Sequence, residues 1–113
     1  MILQHKELAQ GRWFRLSLAQ QMGNIGSEVS RASNWQNKDE KLFWGAAERA
    51  LELFDLTLAD PRWKGRLWEI ARAREVFCDA LYGGKMYKSS LQNLIGYFDQ
   101  FALIAMNKAQ KLS

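Results

Sequence analysis

From Ser17 to Ser33 the chain reads SLAQQMGNIGSEVSRAS, and this stretch decides the fold. Leu18, Met22, Ile25, Val29 and Ala32 recur at spacings of 4, 3, 4 and 3, the rhythm of a helix with one buried face. Ser17 and Gln20 stand at capping-box spacing, where the hydroxyl accepts the Gln20 amide and the Gln20 side chain reaches back. A second stripe, Ala19, Gly23, Gly26, Ser30 and Ser33, is made of small residues. Each glycine costs a helix about 1 kcal/mol relative to alanine. The stripe therefore predicts a neighbouring helix in close approach. A phosphate-binding loop does not fit, since Gly23 and Gly26 lack Gly-x-Gly spacing, an upstream strand and a following Lys-Ser/Thr.

Outward from this helix, punctuation divides the chain at Ser33–Asn37, at Asp60-Pro61 and at Gly83–Lys88. Phe43, Ala47, Ala50, Phe54 and Thr57 form the next apolar stripe, with Lys41, Glu48, Glu52 and Asp55 on the wet side. Asp60 caps a third helix that has Pro61 at its first position. Trp63, Leu67, Ile70, Phe77 and Leu81 follow the 4-3 register there, with Arg74 interrupting it. Ser89 and Gln92 repeat the capping-box spacing before Leu91, Ile95, Phe98, Ala102, Ala105, Ala109 and Leu112. Lys108 and Lys111 suit the negative end of that helix. Strand alternation and Asn-Gly or Asp-Gly hairpin dipeptides do not occur.

These signals predict helices near 17–33, 38–59, 61–82 and 89–111. The fold class is all-α: an antiparallel up-down four-helix bundle over residues 17–113, preceded by an N-terminal arm, residues 1–16. His5 to Leu8 is expected to form a helical turn, and Trp13 or Phe14 of Gly11-Arg12-Trp13-Phe14-Arg15 to plug one end of the bundle.

A chain of 113 residues suffices for one core, and 48% apolar with 25% charged residues disfavours disorder. One cysteine excludes an internal disulfide and fits a reducing cytoplasm. With His5 as the only histidine, a structural zinc set and a di-iron carboxylate bundle both lack ligands. No apolar run approaches the roughly 18 residues of a membrane span, and the N-terminus lacks a secretion signal's apolar stretch.

Catalytic signatures are missing: no Gly-x-Ser-x-Gly, Walker loop, Gly-x-Gly-x-x-Gly or His-Glu-x-x-His occurs. A Cys–His dyad would need Cys78 with His5, and Cys78, flanking Phe77, reads as a buried, inert thiol. A HEPN-like RNase bundle has an Arg followed by His after four to six residues, a pair this chain lacks. The sequence therefore predicts no enzyme, cofactor or metal.

Charge is concentrated. Residues 61–88 carry seven basic groups against three acidic ones, a local +4, while residues 36–60 come to −3. Arg62 and Arg66 stand one helical turn apart, as do Lys64 and Trp68. With Arg12 and Arg15 beside Trp13, the set Arg12, Arg15, Arg62, Lys64 and Arg66 predicts a basic surface interleaved with aromatics, the pattern that tracks phosphates and stacks bases. A solvated face serving solubility is the plainer reading of the same residues. Arg74 on an apolar stripe must be paired, with Glu28, Glu52 or Asp99 as candidate partners, or must sit at a subunit boundary. Five Trp, six Phe and three Tyr exceed what one small core holds. Trp44, Trp68 and Tyr97, with Arg74, are therefore candidate contacts of a homo-oligomer.

In helix number, helix length, size and basic charge, residues 17–112 resemble the accessory proteins of diversity-generating retroelements, the Avd type. Asn24-Ile25-Gly26-Ser27-Glu28-Val29, followed by Arg31, and Arg72-Ala73-Arg74-Glu75-Val76 look like signature segments of some compact family; neither maps onto functional positions of the accessory proteins, and no site residue is carried over. The resemblance implies a homopentameric ring that binds a reverse transcriptase and its template RNA. The expected function is a non-catalytic oligomeric adaptor that contacts RNA or an RNA-handling enzyme in the cytoplasm. The alternatives are a protein-interaction bundle without nucleic acid and a HEPN-like toxin–antitoxin component.

Overall fold

The computed structural model describes residues 11–112 and, within the last helix, side chains as far as Phe101 together with Leu103. The expected turn at His5–Leu8, the Cys78–His5 pair and the side chains of Ala102, Ala105, Lys108, Ala109, Lys111 and Leu112 lie outside the described residues.

The fold is all-α. Its helices are α1 (Leu18–Trp35), α2 (Glu40–Leu58), α3 (Leu67–Leu81) and α4 (Leu91–Leu112), and there is no strand among the described residues. α1 begins as its sequence dictates: Gln20 N donates to Ser17 Oγ at 3.1 Å and Ser17 N to Gln20 Oε1 at 2.9 Å. Asp39 caps α2 by accepting Leu42 N at 3.0 Å. The start of α4 differs from expectation by one residue. Ser90, not Ser89, accepts the amide three residues on, that of Asn93, at 3.1 Å.

The third helix also departs from the sequence reading. Residues Pro61–Arg66 form a 3-10 segment with Trp63 outside helical geometry (φ −103°, ψ 24°), and the α-helix proper starts at Leu67. A 3-10 turn advances three residues per turn rather than 3.6, so Trp63 and Leu67 fall out of phase with the stripe that runs on from Ile70. The buried set becomes Ile70, Ala73, Phe77, Ala80 and Leu81; Leu67 is exposed, Trp63 half-buried, and Arg74 stands at the edge of the stripe.

α1 is the central element, packed along both α2 and α4, while α3 leans more lightly on α2 and α4. Phe54 of α2 gathers the core, its ring 5.9 Å from Phe77 of α3 and 5.9 Å from Phe98 of α4. The small stripe of α1 allows the α4 contact: a Cβ on Gly26 would lie 2.5 Å from Phe98 Cβ. Trp13, in the 3-10 turn Trp13–Arg15, is inserted into this core at 1% exposure, and its Nε1 donates to Thr57 Oγ1 at 3.1 Å.

Candidate nucleic-acid interface

The basic residues nominated by the sequence divide into those engaged at home and those turned outward. Asp60 stops the chain after α2 and accepts Arg62 N at 3.0 Å, the capping contact that starts the 3-10 segment. The Arg62 guanidinium then folds back on the same carboxylate, Nη2 to Oδ2 at 2.7 Å and Nε to Oδ1 at 3.0 Å. It also donates to the Leu16 carbonyl at 2.7 Å and lies 4.4 Å over the Trp63 ring. Gln21 of α1 completes the joint, donating to Trp13 O at 2.9 Å and Asp60 Oδ2 at 3.1 Å while accepting Trp63 Nε1 at 2.9 Å. The hydrogen bonds from Arg62 hold the buried Asp60 carboxyl down at about 2, against the upward push of burial. Arg62 thus clamps the N-terminal turn onto the bundle. Sequence reasoning missed Gln21 and Asp60 as network members; the visible signal was a polar Gln21 beside the core residue Met22.

Arg66 is exposed and pairs with Glu69 at 2.9 Å. Lys64, Arg12 and Arg15 are exposed. The Arg62–Leu16 bond brings the end of the Arg12–Arg15 turn against the Pro61–Arg66 segment, so the two basic stretches share one end of the molecule. Of the seven basic groups in residues 61–88, Arg62, Arg66 and Arg74 have ion pairs, with Asp60, Glu69 and Asp55. Lys64, Arg72, Lys85 and Lys88 form none among the described residues.

Arg74 corrects an expectation. Its partner is none of Glu28, Glu52 or Asp99 but Asp55 of α2, Nε to Oδ1 at 3.0 Å, across the α2–α3 seam. Glu28 is taken by Arg31 at 2.8 Å and Arg49 at 3.1 Å. Cys78 is half-buried, its Sγ 3.9 Å from Arg74 Nη1.

The aromatic residues separate likewise. Trp44 is half-buried, edge-on to Phe43 at 4.8 Å and tilted against the exposed Tyr82 at 5.6 Å. Trp68 projects from the first turn of α3 with 78% of its surface exposed. One turn on, the Arg72 guanidinium stands 6.0 Å from the Trp68 ring centre and 4.7 Å over Tyr87. The loop that presents Tyr87 turns on Gly83 and Gly84 (φ +102° and +72°) and is tied to α3 by Asp79, which accepts Met86 N at 3.0 Å and Tyr87 N at 2.9 Å. The Tyr87 hydroxyl donates to Glu75 at 3.0 Å, which raises its pKa. Beside Trp68, the light α3–α4 contact leaves a groove of about 240 Å³ floored by Ala73, Val76, Leu94 and Tyr97. The Tyr97 hydroxyl faces Glu69 at 3.5 Å, and its pKa is raised by burial first and by that carboxylate second.

Among the described residues, no group of three or more His, Cys, Asp or Glu is placed to hold a metal ion, and no helix is long and apolar enough to cross a membrane. Compared with known proteins, the chain matches no family, no curated protein and no solved structure.

Proposed function

We propose that the chain is a non-catalytic helical adaptor that binds single-stranded RNA through the basic face of residues 61–88 and self-associates through exposed apolar side chains. The observation that carries the RNA reading is the surplus of cations: Lys64, Arg72, Lys85 and Lys88 have no carboxylate partner among the described residues. Such cations gain free energy by releasing the counterions of a phosphate backbone. Self-association is supported by Leu42, Tyr82 and Met86, exposed at 45%, 72% and 80%. An Avd-like role beside a reverse transcriptase is the narrower form of this reading, supported by helix number, chain size and basic charge. The lone Cys78 fits work in a reducing cytoplasm.

Titration of a labelled single-stranded RNA at several salt concentrations tests it. Each phosphate contact contributes about −0.7 to the slope of log affinity against log salt. Lys64→Ala combined with Lys85→Ala is expected to flatten the slope by about 1 to 1.5 with helix content unchanged. If no binding occurs at low salt, a protein-interaction bundle without nucleic acid replaces this reading; the exposed Tyr82 and Met86 favour that second form.

A further inference from the structure

We infer that Trp68, Arg72 and Tyr87 form a stacking platform for unpaired bases, which makes the basic face selective for single strands over duplex. The inference rests on the RNA reading above and adds the site and the mode of recognition.

Three planar groups follow one another along the α3 surface: the Trp68 indole, the Arg72 guanidinium 6.0 Å from its centre, and the Tyr87 ring 4.7 Å beyond. The Tyr87 end is held in place, since Asp79 anchors its amide and Glu75 its hydroxyl. The Trp68 end stays open, with 78% of the residue in solvent. Along the chain, exposed cations flank the platform: Lys64 in the 3-10 segment that leads into α3, and Lys85 and Lys88 in the loop that carries Tyr87. A strand whose bases stack on these faces would place phosphates near cations at either end. Bases in a duplex cannot reach such a surface because their faces are already stacked.

The adjoining groove makes the recognition sequence-tolerant. Ala73, Val76 and Leu94 offer a base edge no side-chain hydrogen bond. Of the polar groups that also line the groove, Glu69 is held by Arg66 and faces the Tyr97 hydroxyl, while the Arg72 guanidinium lies over Tyr87. A second copy is a poorer occupant. A two-fold contact brings the same patch together from both partners, so Lys64, Arg72, Lys85 and Lys88 of one copy would face those of the other. The nearby acids are engaged, Glu69 by Arg66, Glu75 by Tyr87 and Asp79 by the Met86 and Tyr87 amides.

The test compares the full chain with Trp68→Ala and Trp68→Phe, using labelled oligo(U) RNA and an A·U RNA duplex of equal length, by fluorescence anisotropy at several salt concentrations. Wild type is expected to bind the single strand more tightly than the duplex. Trp68→Ala should weaken single-strand binding about ten-fold, as loss of one stacked base does, with the salt slope and the duplex affinity unchanged. Trp68→Phe should retain most of the binding. An unchanged single-strand affinity in Trp68→Ala overturns the platform while the cationic face stands. Equal losses on strand and duplex overturn it as well. So does a smaller species of Trp68→Ala in sedimentation at the same concentration, which would assign the indole to self-contact. Failure of wild type to bind any strand at low salt rejects the RNA reading itself.

Discussion

Asp60 and Arg62, two residues apart, close a ring of their own: the backbone N–H, Nε and Nη2 of Arg62 all donate to one carboxylate that is 2% exposed. The carboxylate ends α2, starts the 3-10 segment and neutralises an arginine that the sequence offers as a phosphate ligand.

This arrangement makes stability depend on acid. The Asp60 carboxyl, ordinarily at 3.8, is held at about 2 in the folded chain, so the unfolded chain takes up the proton first as pH falls. The linked stabilisation, about 2 kcal/mol, is complete above pH 4 and is lost between pH 4 and pH 2. Asp60→Asn is expected to lower stability by about that amount at pH 7 and to flatten this acid limb, as measured by urea unfolding at a series of pH values.

Two glycine substitutions are expected to act with opposite sign. Gly26→Ala drives a methyl to 2.5 Å from Phe98 Cβ, an atom fixed to the α4 backbone, and should cost about 1–3 kcal/mol. Gly96→Ala meets nothing within 4 Å and should stabilise by about 0.4–1 kcal/mol through helix propensity. Thermal unfolding of the two variants beside wild type checks both signs.

Trp13 belongs to the core as much as any helix residue. Trp13→Ala should cost about 3–5 kcal/mol. A double-mutant cycle of Trp13→Phe with Thr57→Val is expected to show a coupling of about 1 kcal/mol for the Nε1–Oγ1 bond. A coupling of zero would mean that the segment is held by apolar burial alone.

Arg74→Ala should cost less than about 1 kcal/mol in chemical denaturation, because its side chain and that of Asp55 are 34% and 52% exposed and water screens the pair. A loss of several kcal/mol would instead indicate a charge buried in an assembly.

Arg74 also shows where reading along the chain loses its grip. Counting fours and threes puts position 74 on the apolar stripe between Ile70 and Phe77, and both of those are buried as counted. The buried face is centred on Ala73, and the Arg74 side chain leaves along its edge to reach Asp55. Within the candidate site, Lys64 and the exposed Trp68 were legible as basic and aromatic surplus. Arg72 and Tyr87 belong to the same surplus, but their stacking was not legible, because it depends on how the Gly83–Gly84 turn carries the chain back over α3.

By itself the sequence determined what is local. Helix formation, the Ser17–Gln20 cap, the stop at Asp60-Pro61 and the all-α class follow from apolar spacing and from side chains reaching amides two or three residues away. The tertiary structure decided which of these charges are buried as well as paired, and which aromatics are covered. Arg62 and Arg66 are equivalent in sequence, each a cation one turn from the other. They part company because a carbonyl 46 residues upstream of Arg62, that of Leu16, and a carboxylate buried by Gln21 of α1 come within its reach. Trp13 and Trp68 are both tryptophans with an arginine within two residues. Trp13 meets a hydroxyl 44 residues away and is buried, whereas Trp68 falls on a side of α3 left open among the described residues, 78% exposed. Such partners are brought together by helix packing, whose geometry depends on the whole core rather than on any window of the chain.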